Sequence, residues 1–216
     1  DALGVVCDVT DETQVKSTLE QAQQKFGFVD VLVNNAVMFK QKGVLDMTLE
    51  EWERQTGIIL SGSFLFTKYV ASALIDQKRR GSIINIISTA GHQGQPGNVG
   101  YCTGKSGLLN FTRSVAMELA EYGIRVNSLT PTATALEEGF DRAAKWGRPK
   151  VDSVKFESVM DGFRKSIPMQ QLPRPADYAK TAVFLASEDA AMLTGTDIKV
   201  DAGALARYWA WDPAVA

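Results

Sequence analysis

The sequence predicts an α/β protein: a parallel sheet with helices on both faces, three layers in all. Three observations carry this. Short apolar runs rich in β-branched residues alternate with longer amphipathic segments of helical period, the pattern of repeated strand–helix–strand units. One run, "SIINIIS", is apolar almost throughout, as expected of a strand covered on both faces. No stretch of the 216 residues is repetitive, low in complexity or linker-like, so one domain over 1–216 is the simplest organisation.

The elements follow in order. "LGVVCDV" reads as a buried strand. Thr10 is the expected cap of a first helix, in which Val15, Leu19, Ala22 and Phe26 keep helical period and which Gly27 ends. "VDVLVNNA" is a second strand. Thr48 signals the cap of a long helix that reaches the "QKRRG" turn. "SIINIIS" is the third strand. "YCTGKSGLLNFTRSVAMELAEYG" is helical and closes at Gly123, and "IRVNSLTP" is a strand ended by Pro131. Residues 137–168 look like a partly helical insertion of mixed charge. "RPADYAKTAVFLAS" starts a helix with Pro175 in its first turn, and "GTDIKVDAG" holds a short last strand.

Composition narrows the function. Hydrophobic residues make up 45% and charged residues 22%, with a net charge of −2, so nothing marks a nucleic-acid or acidic-membrane surface. Cys7 and Cys102 have no metal-ligand spacing and are too few for a disulfide framework, which points to a reducing, cytoplasmic setting. No unbroken apolar run of 18 residues occurs, so no membrane span is expected. The chain opens abruptly on what reads as a strand, with no signal-peptide pattern.

The stretch "VGYCTGKSGLL" admits two readings. A phosphate loop of the form G-x-x-x-x-G-K-[ST] needs glycine at position 99, which is Val99, and the preceding strand ends too far upstream, near Ser88. Glycines 91, 94, 97 and 100 fit a turn region better than a phosphate cradle. The other reading starts from Tyr101 and Lys105, four apart and so on one helix face. A nearby ammonium stabilises phenolate, so Lys105 is expected to lower the Tyr101 pKa and fit it for proton transfer. Ser88 lies thirteen positions earlier, at a strand C-terminus, where ligand sites of open α/β sheets gather. Its hydroxyl could bind a substrate carbonyl.

Together "DVTD", "VDVLVNNA", "GSIINIIS", Tyr101 with Lys105, "AMELAEYGIRVNSLTP" and "GTDIKVDAG" resemble the short-chain dehydrogenase/reductase family, from Gly4 to Gly203. The resemblance implies a Rossmann-type sheet, NAD or NADP as cofactor, and a catalytic group of Ser88, Tyr101 and Lys105. It implies hydride transfer between cofactor and the carbon of a secondary alcohol or ketone, with Tyr101 as general acid/base. It further implies that Asp8 and Val9 touch the adenine, that Asn35 and Ala36 lie along the adenosine ribose, and that Ile87, Pro131 and Thr134 flank the nicotinamide, with Tyr101 and Lys105 also touching the cofactor. Residues 137–168, with Trp146, Phe156 and Phe163, match the family's substrate lid; helical packing is the plainer alternative. The helices around 57–78 and 101–122 pair subunits in the family, which implies a homodimer or homotetramer.

The departures are specific. No G-x-x-x-G-x-G or G-x-G-x-x-G occurs, so the family's opening strand–turn–helix unit, with its pyrophosphate-binding amides, has no counterpart. Val37 replaces the glycine of "NNAG". The family's catalytic asparagine aligns with Ile59. Thr132 and Ala202 replace glycines, changes that are tolerated where φ is negative. An alternative is therefore a cofactor-deficient relative that is inactive or serves as a binding module. Without its usual neighbours, "LGVVCDV" is expected either to slide beside "VDVLVNN" or to stay detached and mobile. His92, the single histidine, reads as an exposed turn residue, with substrate contact as the alternative and no partners for a metal. The aromatic tail with Tyr208, Trp209 and Trp211 is expected at a subunit contact or over a pocket.

Overall fold

The computed structural model describes residues 1–135, 153–208 and 210. Four parallel strands form one sheet in the order β1 (Val31–Asn34), β2 (Gly81–Ile86), β3 (Ile124–Pro131), β4 (Asp197–Val200). The helices are α1 (Glu12–Phe26), α2 (Leu49–Thr56), α3 (Gly62–Asp76), α4 (Val99–Leu119), α5 (Ser153–Ser166) and α6 (Pro175–Ala186). Each parallel step needs a crossover, and helices supply them.

Side-chain alternation explains the three layers. Ile83 joins Leu19, Val70, Leu74, Ala116 and Val126 in a core under α1, α3 and α4. Its neighbour Ile84 points the other way, to Leu129 and Leu185 under α6. Two adjacent isoleucines thus serve opposite faces, as period two requires. Close approaches are set by small residues: a Cβ on Gly81 would meet Leu74 Cδ1 at 2.4 Å.

The caps follow local chemistry. Thr48 and Glu51 form a reciprocal capping box at the start of α2. Gly123 closes the helical stretch before β3 at φ 70°. At α1 the cap is Asp11, not Thr10: its carboxylate accepts from the Thr13 and Gln14 amides at 2.9 and 3.1 Å. Thr10 is taken up by Asp8, to which both its amide and its hydroxyl donate.

The segment "LGVVCDV" forms no strand. Val6 is 99% exposed, β1 pairs with β2 alone, and Val31 and Val33 at that edge are 41% and 46% exposed. The segment is detached from β1, which removes the expectation that it slides beside "VDVLVNN". A strand is defined by ladder hydrogen bonds, and an apolar pattern without a neighbouring strand cannot supply them. The Ala2 carbonyl accepts from Lys25 Nζ at 2.7 Å, and the Val9 side chain fills the space beside Gly62.

α2 and α3 are one continuous helix joined by a π-helical turn, Gly57–Ser61. At 28 residues, Leu49–Asp76 is long and apolar enough by composition to cross a bilayer, with a mean hydropathy of 1.6 over its most apolar window. The sequence expectation rested on unbroken apolar runs and missed this. The face carrying Ile59, Val70, Ala71 and Leu74 is buried in the cores beneath the helices.

Ala202 is a second correction. It lies at φ 53°, in the left-handed region, so the glycine it replaces was suited to a strained position. Thr132 is not among the residues of positive φ. Of the insertion, residues 136–152 and thus Trp146 lie outside the described residues; α5 carries Phe163, 44% exposed. Trp209 and Trp211 also lie outside them, while Tyr208 is 64% exposed.

Candidate active site

"VGYCTGKSGLL" lies wholly within α4. The "GKS" glycine and lysine are buried in its second turn, which removes the phosphate-loop reading. The stretch from Gly91 to Gly97 is the turn region expected, with Gly97 at φ 75°.

Ser88 lies two residues past the end of β2. Its hydroxyl accepts from the Ala90 amide at 3.2 Å and caps a single 3-10 turn, Thr89–Gly91. Gly91 lets this turn press onto α4: a Cβ there would lie 3.0 Å from the Lys105 carbonyl carbon and oxygen and 2.8 Å from Ile87 Cγ2. That contact brings Ser88 to Tyr101, whose hydroxyl it hydrogen-bonds. Lys105 is 3% exposed and donates from Nζ to the Ile86 carbonyl at 2.6 Å. Its ammonium lies 5.8 Å from the Tyr101 ring centroid. The structure therefore gathers Ser88, Tyr101 and Lys105 at the C-terminal end of β2.

The electrostatics differ from the expectation that Lys105 lowers the Tyr101 pKa. Burial pushes the Tyr101 hydroxyl above its usual 10.0; the Ser88 hydrogen bond pulls the other way and does not overcome it. Burial also brings Lys105 down to about 8. Loss of solvent is the leading cause of both shifts, and the lysine spends its short contact on a backbone carbonyl.

Among the residues expected along a cofactor, Val9, Asn35 and Ala36 meet in one cleft of about 190 Å³ with Gly62 and Phe66. Asp8 is already engaged: the Thr10 amide, then Arg54 at 2.8 Å, hold its carboxyl at about 2. The Ile87 side chain turns inward, packed with Ile59, Leu108 and Leu109. Pro131 ends β3 beside Val200, and the Thr134 hydroxyl donates to Tyr178 Oη at 3.2 Å. His92 is not an exposed turn residue: its Nε2 lies 3.2 Å from both Asp197 Oδ2 and Thr130 Oγ1, with 19% of its side chain exposed. The hydroxyls of Ser128 and Thr130 donate to the same carboxylate. No group of His, Cys, Asp or Glu suited to a metal occurs among the described residues.

Sequence reasoning missed three things. Asn34 donates to Asn85 at 2.8 Å and to Thr67 at 3.1 Å, and Asn85 donates to Thr112 at 2.9 Å, a buried polar chain linking β1 and β2 to α3 and α4. Asn85 inside "SIINIIS" was its visible signal. Gln55, fully buried in α2, and Phe39, whose ring meets Tyr101 edge to face at 5.1 Å, gave no comparable signal.

The donor present fits the nicotinamide-ribose half of a dinucleotide: Lys105 has one hydrogen-bond acceptor among the described residues, which leaves two N–H groups for ribose hydroxyls. Val9, Asn35 and Ala36 form a cleft on the side expected for the adenosine half. The pyrophosphate half has no glycine-rich turn among the 216 residues.

A parallel sheet with a serine, a tyrosine and a lysine gathered at a strand C-terminus defines a Rossmann-type oxidoreductase. The sequence profile described as Enoyl-(Acyl carrier protein) reductase matches residues 1–204. The chain belongs to the short-chain dehydrogenase/reductase family of NAD(P)-dependent oxidoreductases. It is 34% identical over 200 residues to the 3-oxoacyl-(acyl-carrier-protein) reductase FabG of Haemophilus influenzae, covering 93% of this chain and 77% of that protein. It is 32% identical over 207 residues to galactitol 2-dehydrogenase of Agrobacterium fabrum, covering 94% and 78%. The ligand-free aldohexose dehydrogenase of Thermoplasma acidophilum superposes with a TM-score of 0.84 at 28% identity, covering 97% of this chain and 80% of that one.

Proposed function

We propose that the chain interconverts a secondary alcohol and a ketone, with Tyr101 as the general acid/base. The observation that carries this reading is the meeting of Ser88 and Tyr101 beside the buried Lys105. A bound nicotinamide would supply or accept the hydride. In the reducing direction Tyr101, kept neutral by burial, holds the proton that a nascent alkoxide needs. Ser88, whose hydroxyl faces the phenol, turns its single proton to the same substrate oxygen and orients it. Lys105, with its pKa brought down to about 8, holds its ammonium 5.8 Å from the Tyr101 ring and offers its free N–H groups to a ribose.

The substrate is a small carbonyl or alcohol, and the cofactor is NAD or NADP. Copies pair through α3 and α4, whose outward faces leave Phe64 49% and Met117 83% exposed, giving a dimer or tetramer in a cytoplasmic setting. A second reading, a cofactor-deficient relative that binds without turnover, is favoured by Ile59 at the position that the resemblance aligns with the catalytic asparagine.

Calorimetric titration with NADH and NADPH separates the two. Binding, with turnover of a ketone that Tyr101→Phe abolishes, supports the enzyme. No binding at millimolar cofactor supports the second reading, and turnover surviving Tyr101→Phe removes the role given to Tyr101.

A further inference from the structure

Phe39 stands on the loop that leaves β1, with 58% of its surface exposed. An exposed ring on a loop is ordinarily free to swing, but this one is fixed on both flanks. Gln55 Nε2 donates to the Met38 carbonyl at 3.1 Å and to the Lys40 carbonyl at 3.4 Å, the two residues either side of it. Glu51 draws in Lys40 and Lys42 at 2.8 and 2.7 Å, and is itself locked in the Thr48 capping box. The ring so placed stands edge to face on Tyr101, its plane at 89° to the phenol.

Gln55 is an unusual choice for its position. It is fully buried, its Oε1 has no hydrogen-bond partner among the described residues, and that oxygen faces Gly100, where a Cβ would lie only 2.3 Å away. An aliphatic side chain would fill the space without leaving a buried carbonyl unpaired. What the amide adds is its grip on the two carbonyls that flank Phe39.

We propose that Gln55 is a positioning residue that holds Phe39 as a fixed aromatic wall beside Tyr101, and that this wall keeps water from the phenol and favours substrates bearing a flat, apolar group next to the carbonyl. The preference rests on the reading of Tyr101 as proton donor; the wall does not. A flat apolar group meets the exposed ring without loss, whereas a polyhydroxylated chain would set hydroxyls against a surface that offers them no partner.

Phenolate absorbance, titrated with pH for each protein and for its Tyr101→Phe counterpart, isolates this one tyrosine by difference. Phe39→Ala and Gln55→Met each move the Tyr101 titration to lower pH, and Phe39→Trp, which keeps an aromatic wall, leaves it in place. Phe39 is on the surface, so Phe39→Ala keeps the test alive should Gln55→Met not fold. An unchanged titration in Phe39→Ala overturns the wall; a shift there with none in folded Gln55→Met overturns the role of Gln55. Turnover supplies the second arm: Phe39→Ala lowers the kcat/KM ratio of acetophenone over erythrulose about tenfold, the size expected for one lost apolar contact surface. An unchanged ratio overturns the substrate preference. If the parent reduces neither ketone with either cofactor, the proposed activity fails while the titration still decides the wall.

Discussion

Ile59 occupies the space that Gly104 leaves open. A Cβ on Gly104 would lie 2.9 Å from Ile59 Cδ1 and 3.2 Å from its Cβ. Ile59 is thus matched by a glycine one residue before Lys105, and it closes an apolar cluster with Ile87, Leu108 and Leu109. Gly104→Ala should overpack this contact and lower unfolding free energy by about 1–3 kcal/mol. The loss should shrink in an Ile59→Val background, and urea denaturation of the two single variants and the double variant measures that coupling.

The buried Lys105 predicts a pH dependence of stability. Its folded pKa, about 8, lies below its unfolded value of 10.5, so between those values the unfolded chain binds more protons and stability rises with pH. Below pH 8 the burial penalty is fully present, roughly 3 kcal/mol for a shift of this size in a side chain that is 3% exposed. Tyr101 has the opposite sign: its raised pKa makes stability fall above pH 10. Urea midpoints from pH 7 to 10 should climb in the parent and stay flat through that window in Lys105→Met.

Asn85 holds two buried groups at once, accepting from Asn34 and donating to Thr112. It is fully buried between β1 and β3. Asn85→Ala leaves the Asn34 amide short of an acceptor and opens a small cavity, which should cost about 2–4 kcal/mol in chemical denaturation. Asn85→Asp should cost more, because it brings an unpaired charge into the same place.

Ala202 stands at φ 53° and is followed by Gly203 at φ 85°, where a Cβ would meet Pro168 at 3.0 Å. Ala202→Gly should raise stability by about 1 kcal/mol by relieving the left-handed strain of a Cβ. Gly203→Ala should do the reverse and more, since it adds the Pro168 contact to the strain. Thermal melts of the two variants should move in opposite directions.

The candidate site was legible because its signals are local or set by fixed spacing. Tyr101 and Lys105 share a helix face by the four-residue step alone, and Ser88 ends an unmistakable strand. The ionisation of Tyr101 was not legible. Its sign depends on how much water burial removes from the phenol against how far the Lys105 ammonium is held away, and both distances are set by residues remote in sequence, Ile86 and Ser88 among them. Phe39 and Gln55 escaped notice for the same reason, since their partners come from three different elements.

By itself the sequence determined the alternation of strand and helix, the covering of "SIINIIS" on both faces, the cap at Thr48 and the stop at Gly123. These follow from periods of 2 and 3.6 residues and from contacts within one turn, which a chain carries wherever it goes. Only the tertiary structure decided that "LGVVCDV" is no strand, that Asp11 rather than Thr10 caps α1, that His92 faces Asp197, and that Ala202 turns left-handed. A ladder needs a neighbouring strand and a hydroxyl goes to whichever acceptor lies nearest. A buried charge answers to the whole cavity around it, so those outcomes belong to the assembled fold.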